Sequence, residues 1–257
     1  VLLHGTGAST HSWRDLAPLL AQRFEVVAMD LPGHAFTGMP PGGVGSPQLS
    51  LPGMARAVHG LLQTLAISPA LLVGHSAGAA VAVRMCLDGL ATPRSVLGLN
   101  AALMPLGGLA GRLFSPVAKL MASAPFVPRL FAWHANEPAV LQRLLLSTGS
   151  SLDATGTALY RQLVSSPEHA AGALGMMANW DLESLWRDLP RLTAPLDLVV
   201  GERDRTVPPE QATRAMARLS PALNAQYIQL DGLGHLAHEE QPDTVARLIN
   251  ERFNARA

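Results

Sequence analysis

Ser76 stands between two glycines in Gly74-His75-Ser76-Ala77-Gly78, where the apolar run "LLVGH" gives way to the small-residue run "AGAAVAV". A serine in a G-x-S-x-G segment between a strand and a helix sits on a sharp turn that lifts its hydroxyl above the sheet. Glycines on either side remove side chains that would collide across that turn. The alternative is a glycine-flanked serine that only caps a helix; the strand-to-helix placement favours a nucleophile. A serine hydroxyl is weak and needs a base oriented by a third group. "QLDGLGHLAHEEQP" offers His235 just after the last strand pattern, and "VVGERDRTVPP" offers Asp204 just after the strand pattern before it. Ser76 would attack, His235 would take and return the proton, and Asp204 would hold the imidazole tautomer. Glu202 competes for the acid role but sits one step closer to the strand end. Asn100, which ends the preceding strand pattern, is not acidic.

Acyl chemistry also needs donors for the oxyanion. The backbone amide of Ala77, at the start of a predicted helix, is one candidate, and that of Thr6 in "HGTGAS" is the other. Removing one such donor typically costs about a hundredfold to a thousandfold in rate. His235, His238, Glu239 and Glu240 resemble a metal cluster, but no second cluster at ligand spacing accompanies them, so neither a metal nor another cofactor is expected. His238 is expected to orient the final loop, His4 and His75 to be hydrogen-bonded structural groups, and Cys86 to be core. "HGTGAST" lacks a full G-x-G-x-x-G, and no G-x-x-x-x-G-K-[ST] occurs, so nucleotide binding is not expected.

The elements that must position these residues alternate along the chain. "VLLH", "EVVAMD", "ALLVGH", "SVLGLN", "LDLVVG" and "AQYIQL" read as strands, with helical patterns between them, including one from Leu51 to Leu65 capped by Ser50 and one from Asp243 to Phe253. Strands separated by helices imply a doubly wound, mostly parallel sheet of the α/β class, with ligands at its carboxyl edge. Residues 101–194 offer no strand and several helical patterns, and read as a helical cap inserted into a core of residues 1–100 and 195–257.

The chain of 257 residues is 48% hydrophobic and 15% charged, with 19 basic and 19 acidic side chains, so nothing in its charge points to nucleic acid. Its single cysteine excludes an intrachain disulfide and fits a reducing, cytoplasmic setting. No uncharged apolar run reaches the roughly 20 residues a bilayer span requires. The apolar segment "GRLFSPVAKLMASAPFVPRLFAW", with Arg112, Lys119 and Arg129 along it, would allow at most peripheral membrane contact, and packing on the sheet is the favoured reading. The chain opens inside a strand pattern rather than at a methionine, which leaves a preceding leader open.

"HGTG", "DLPGH", "GHSAG", "GERD" and "GLGH", in that order, resemble the α/β-hydrolase superfamily over essentially the whole chain. Two strands that normally precede the "HG" strand are absent, so "EVVAM" becomes an exposed edge, and Ala35 stands where the family has glycine. More narrowly, "HGTGASTHSWRDLAPLL", "GHSAGAAVAVRMCLDG", "TGSSLDATGTALYRQLV", "GALGMMANWDL" and "GLGHLAHEEQP" are similar to the magnesium-chelatase accessory proteins of bacteriochlorophyll biosynthesis. That resemblance implies a photosynthetic bacterium, a tetrapyrrole as the apolar small-molecule substrate, magnesium chelatase subunits as partners, and a location at or near photosynthetic membranes. Phe114, Met121, Phe126, Phe131, Trp133, Met176, Met177, Trp180 and Trp186 make the cap apolar, with about a third expected to face a pocket. The pocket set is Gly5, His75, Asn100, Trp133, Met177 and Trp180. A serine hydrolase acting on an ester is the first expectation, and a non-catalytic porphyrin carrier the second. Carbon–carbon bond hydrolases of this fold carry asparagine and tryptophan where this chain has His75 and Leu236, and dehalogenases and epoxide hydrolases use an aspartate nucleophile.

Overall fold

A parallel sheet forms because its strands are apolar on both faces. The computed structural model describes residues 1–105, 124, 126–135 and 137–256. Its strands are β1 (Leu2–Leu3), β2 (Ala28–Met29), β3 (Leu71–His75), β4 (Ser95–Leu99), β5 (Leu196–Gly201) and β6 (Tyr227–Leu230), in the order β2-β1-β3-β4-β5-β6. Every pairing is parallel, with Val73 opposite Leu97 and Leu97 opposite Asp197 in the centre. Alternate residues serve two cores. Leu3, Leu72, Val96, Leu198 and Val200 pack into one, while Leu2, Val73, Leu97, Leu99 and Val199 pack into the other.

Helices α1 (Leu16–Ala21), α2 (Leu51–Thr64) and α3 (Ala77–Leu87) come from the first half of the chain. The Ser50 hydroxyl caps α2 by accepting the Gly53 N–H, as expected. α3 is buried from Ala77 to Met85, and its run of small residues lets it lie close against the sheet. Between β4 and β5 come α4 (Val127–Ala135), α5 (Pro138–Ser147), α6 (Ala154–Val164), α7 (Pro167–Ala178) and α8 (Leu182–Asp188). α9 (Pro209–Met216), α10 (Ala237–Glu240) and α11 (Pro242–Asn254) complete the chain. The expected helix near "RLFSPVAKLMA" and most of the apolar segment around it lie outside the described residues. Among those described, no helix is long and apolar enough to cross a membrane.

β1 and β2 are shorter than their apolar runs suggested. β2 forms one edge of the described sheet and pairs over only two residues with β1, so its ladder has support from one side alone. Ala35 adopts a positive φ of 44°, the region that favours glycine, and its N–H is taken by a histidine ring from α7.

Candidate active site

Each parallel strand ends on the same edge, and the loops leaving β1, β3, β4, β5 and β6 carry the candidate residues to it. At the end of β3 the backbone of Ser76 is left-handed in φ, at 50°, with ψ at −115°. Holding a non-glycine residue there costs on the order of 1–3 kcal/mol. The surroundings enforce it: the Ser76 N–H donates to the Leu99 carbonyl at 2.9 Å, and the Ser76 carbonyl accepts from Ala79 and Ala102, both at 3.1 Å. A Cβ on Gly74 would collide with the Ala79 amide, and one on Gly78 with the Leu3 carbonyl. Both glycines of the motif are therefore required by close backbone approach.

Asp204 follows β5 and is almost fully buried. One carboxylate oxygen accepts the backbone N–H groups of Thr206 and Val207, both at 2.8 Å. The other accepts the Asn100 side-chain amide at 2.7 Å and the His235 ring at 2.8 Å. A carboxylate that only accepts places the proton on His235 Nδ1 and leaves Nε2 as the basic nitrogen. His75 supports this arrangement from below, its Nε2–H donating to the His235 carbonyl at 2.9 Å. Burial, then the neighbouring His238 and His235 rings, push the His75 pKa well below its ordinary value, so this ring stays neutral. His238 is fully buried between Trp13 and His75, with ring centroids 4.6 and 4.5 Å away, and burial pushes it to about 3.

The loop after β1 lies against Ser76. A Cβ on Gly5 would come within 2.9 Å of the His75 ring and 3.1 Å of Ser76 Cβ. His4 fixes this loop by donating from Nδ1 to the Gly5 carbonyl at 2.8 Å while Nε2 accepts the Leu31 N–H at 2.9 Å. Thr6 donates its hydroxyl to Met176 Sδ at 3.4 Å. As the first residue of α3, Ala77 has an N–H with no carbonyl one turn back to take it.

Above these residues is a cavity of about 600 Å³. Gly5, Thr6, Ser76, Ala77, His75 and His235 form its floor, and Leu141, Leu145, Val164, Met177 and Trp180 are among its walls. Among the described residues, no Asp, Glu, Lys or Arg lines it. A smaller cavity of about 230 Å³ lies at the opposite end of the sheet, near Val1, Phe24 and Pro69.

Two expected pocket residues lie elsewhere. Asn100 is fully buried beneath Asp204 and donates also to the Gly234 carbonyl at 3.3 Å, so it supports the Asp204 carboxylate instead of lining the cavity. Trp133 is 72% exposed, because α4 turns Leu130 and Trp133, three residues apart, outward. Trp186 packs on the core beneath the Arg218 guanidinium, and Phe114 and Met121 lie outside the described residues. Glu202 accepts the Gly232 N–H at 2.8 Å rather than meeting His235. Three features were missed in the sequence. His169 of α7 bridges two loops, its Nδ1 accepting the Ala35 N–H at 3.0 Å and its Nε2–H donating to the Gly7 carbonyl at 3.1 Å. Tyr160 donates to Glu239 at 2.7 Å. The turn after α5 meets the loops that bear Asp204 and His235. None has a local spacing signal, since each joins segments far apart in the chain.

Comparison with known proteins places this geometry in a family. A profile of the alpha/beta hydrolase family matches residues 1–248. The "Magnesium-chelatase 30 kDa subunit" of Rhodobacter capsulatus is 40% identical over 97% of this chain and 84% of its own length. The "Pimeloyl-[acyl-carrier protein] methyl ester esterase" of Methylococcus capsulatus is 28% identical over 98% of this chain and 92% of its own. The crystal structure of an alpha/beta hydrolase fold protein from Burkholderia ambifaria superposes with a TM-score of 0.78 at 26% identity, covering 98% of this chain and 89% of that one. The parallel sheet and the profile match over residues 1–248 are those of the alpha/beta hydrolase family, to which this chain belongs.

Proposed function

We propose that the chain is a serine hydrolase that cleaves an ester or related acyl bond of a bulky, uncharged, apolar molecule. The observation that carries this is the 2.8 Å bond from His235 Nδ1 to an Asp204 carboxylate whose other acceptor sites are filled, with His235 and Ser76 opening into one cavity. His235 Nε2 removes the Ser76 hydroxyl proton as Oγ attacks the acyl carbon. Asp204 stabilises the resulting imidazolium. The Thr6 and Ala77 amides hold the oxyanion. The imidazolium returns the proton to the leaving alcohol, and water then releases the acyl group by the same steps in reverse order. Apolar walls without a guanidinium or ammonium among the described residues favour neutral substrates, since a buried carboxylate there would lack a partner. Residues 101–194 act as a cap that selects the substrate, over a core of residues 1–100 and 195–257.

The 40% identity to a protein named as a magnesium-chelatase subunit supports a place in bacteriochlorophyll biosynthesis near magnesium insertion, with an esterified tetrapyrrole as substrate and magnesium chelatase subunits as partners. A cytoplasmic location, peripheral to photosynthetic membranes, follows from that reading. The same name favours a second reading, a non-catalytic porphyrin carrier serving the chelatase. Labelling with an uncharged fluorophosphonate tests the first: modification confined to Ser76 supports it, and an unmodified native chain beside a reactive control enzyme rejects it. Ser76→Ala separates the two readings, since a carrier would keep its effect on magnesium insertion.

A further inference from the structure

His235 and Asp204 come from two loops, and both loops rest on one turn of the helical insertion. The turn is Thr148-Gly149-Ser150-Ser151, between α5 and α6. The Thr148 carbonyl accepts the Arg205 N–H at 3.2 Å and the His235 N–H at 3.3 Å, so one oxygen touches the acid loop and the base loop together. Ser150 Oγ, in a buried residue, accepts the Leu236 N–H at 2.8 Å. Glu240 closes the seam from the other side, taking the Gly234 N–H at 2.9 Å and the Ser151 N–H at 3.2 Å.

The backbones meet with no side chain between them. Gly149 has a φ of 85°, and a Cβ there would collide with the Arg203 carbonyl oxygen. A Cβ on Gly234 would collide with the Gly149 carbonyl carbon and with Ser150 Oγ. Glycine on each side of the seam is what allows the Thr148 carbonyl and Ser150 hydroxyl to reach main-chain donors in both loops.

We propose that the turn 148–151, with Ser150 as its key side chain, is a positioning element for the His235–Asp204 pair. It sets the spacing of the two loops at which the Nδ1–Oδ2 bond forms. The insertion is thereby part of the mount of the site as well as its roof. The kinetic consequence rests on the hydrolase reading; the geometric one does not. A displacement of about 1 Å in reacting groups can cost about a hundredfold in rate.

The test compares the full chain with Ser150→Ala and Ser150→Cys. Proton NMR reads the downfield Nδ1–H resonance of a histidine bonded to a carboxylate, and steady-state kinetics uses p-nitrophenyl butyrate. Ser150→Ala is expected to fold, to lose or broaden the downfield resonance, and to lower kcat about 10- to 100-fold with KM within about twofold. Ser150→Cys, which keeps a weak acceptor, is expected to recover part of both. Glu240→Gln, on the more accessible side of the seam, should broaden the same resonance and serves where Ser150→Ala does not fold. A folded Ser150→Ala chain with a sharp, unshifted resonance overturns the proposal, as does a wild-type chain that shows no such resonance. Absence of esterase activity with the resonance present and sensitive to Ser150 counts against the hydrolase reading alone.

Discussion

Replacing Glu239 with glutamine should change how stability depends on pH, by an amount set by its surroundings. The Glu239 side chain is only 4% exposed and lies one helical segment beyond His235, accepting the Tyr160 hydroxyl. Burial is the largest influence and raises its pKa to about 8, against the lowering effects of the Tyr160 hydrogen bond and Arg14. In the unfolded chain the carboxyl titrates near 4.5. Between these values the folded state binds more protons than the unfolded one, so stability falls as pH rises. At about 1.4 kcal/mol per pH unit across this window, the share lost between pH 5 and pH 9 is about 4 kcal/mol. Glutamine keeps an acceptor for Tyr160 and has no proton to lose. Urea unfolding of both chains at matched ionic strength should show Glu239→Gln gaining about 4 kcal/mol on wild type between pH 5 and pH 9, the intrinsic effect of the isostere cancelling in the difference. Parallel stability curves over that range would refute the reasoning.

Acid should act in the opposite sense through the histidines. Burial holds His4 at about 4 and His34 and His238 at about 3, so the stability they contribute is complete above about 6.5 and is lost as pH falls toward those values. Each should cost about 2 kcal/mol by pH 5, and His238→Phe should recover about that much at pH 5 relative to pH 7.5 by urea unfolding. Asp204→Asn should lower kcat about 10³- to 10⁴-fold with KM nearly unchanged, because an amide permits the wrong imidazole tautomer; a loss under tenfold in ester hydrolysis would argue against the assigned role. Gly78→Ala should destabilise the fold by at least about 2 kcal/mol by thermal or urea unfolding, since its Cβ would occupy the Leu3 carbonyl.

The sheet and its edge were legible because their signals are local. An apolar run such as "LLVGH" followed at once by small residues specifies both a strand and the turn that ends it, and α2 announced itself through Ser50. The loops bearing Asp204 and His235 were readable for the same reason, since a parallel strand delivers whatever follows it to one edge. What escaped depends on contacts between distant segments. Nothing near Trp133 says that its helix faces outward, because that depends on which side of α4 meets α7 and its neighbours. Asn100 was visible as a non-acidic residue at a strand end, but its use as a donor to Asp204 needs a partner 104 positions away.

The same distinction bears on where specificity resides. The floor of the cavity is built from strand ends, so its chemistry is set by the sheet, whereas the walls belong to α5, α6 and α7. Those helices are not independent of the floor. α7 reaches the loop after β1 through His169, whose ring can make both of its hydrogen bonds only when neutral, and Gly172 meets Gly33 backbone to backbone. The turn after α5 reaches the loops that bear Asp204 and His235 through Thr148 and Ser150. A substitution that reshapes the apolar wall at Met177 can therefore change substrate preference without moving the floor, because that side chain takes part in none of these links. A change at His169 or Ser150 acts on both, lowering turnover for every substrate, good or poor. Comparing a series of neutral esters of increasing size separates the two: wall variants should reorder the series, and link variants should scale it uniformly.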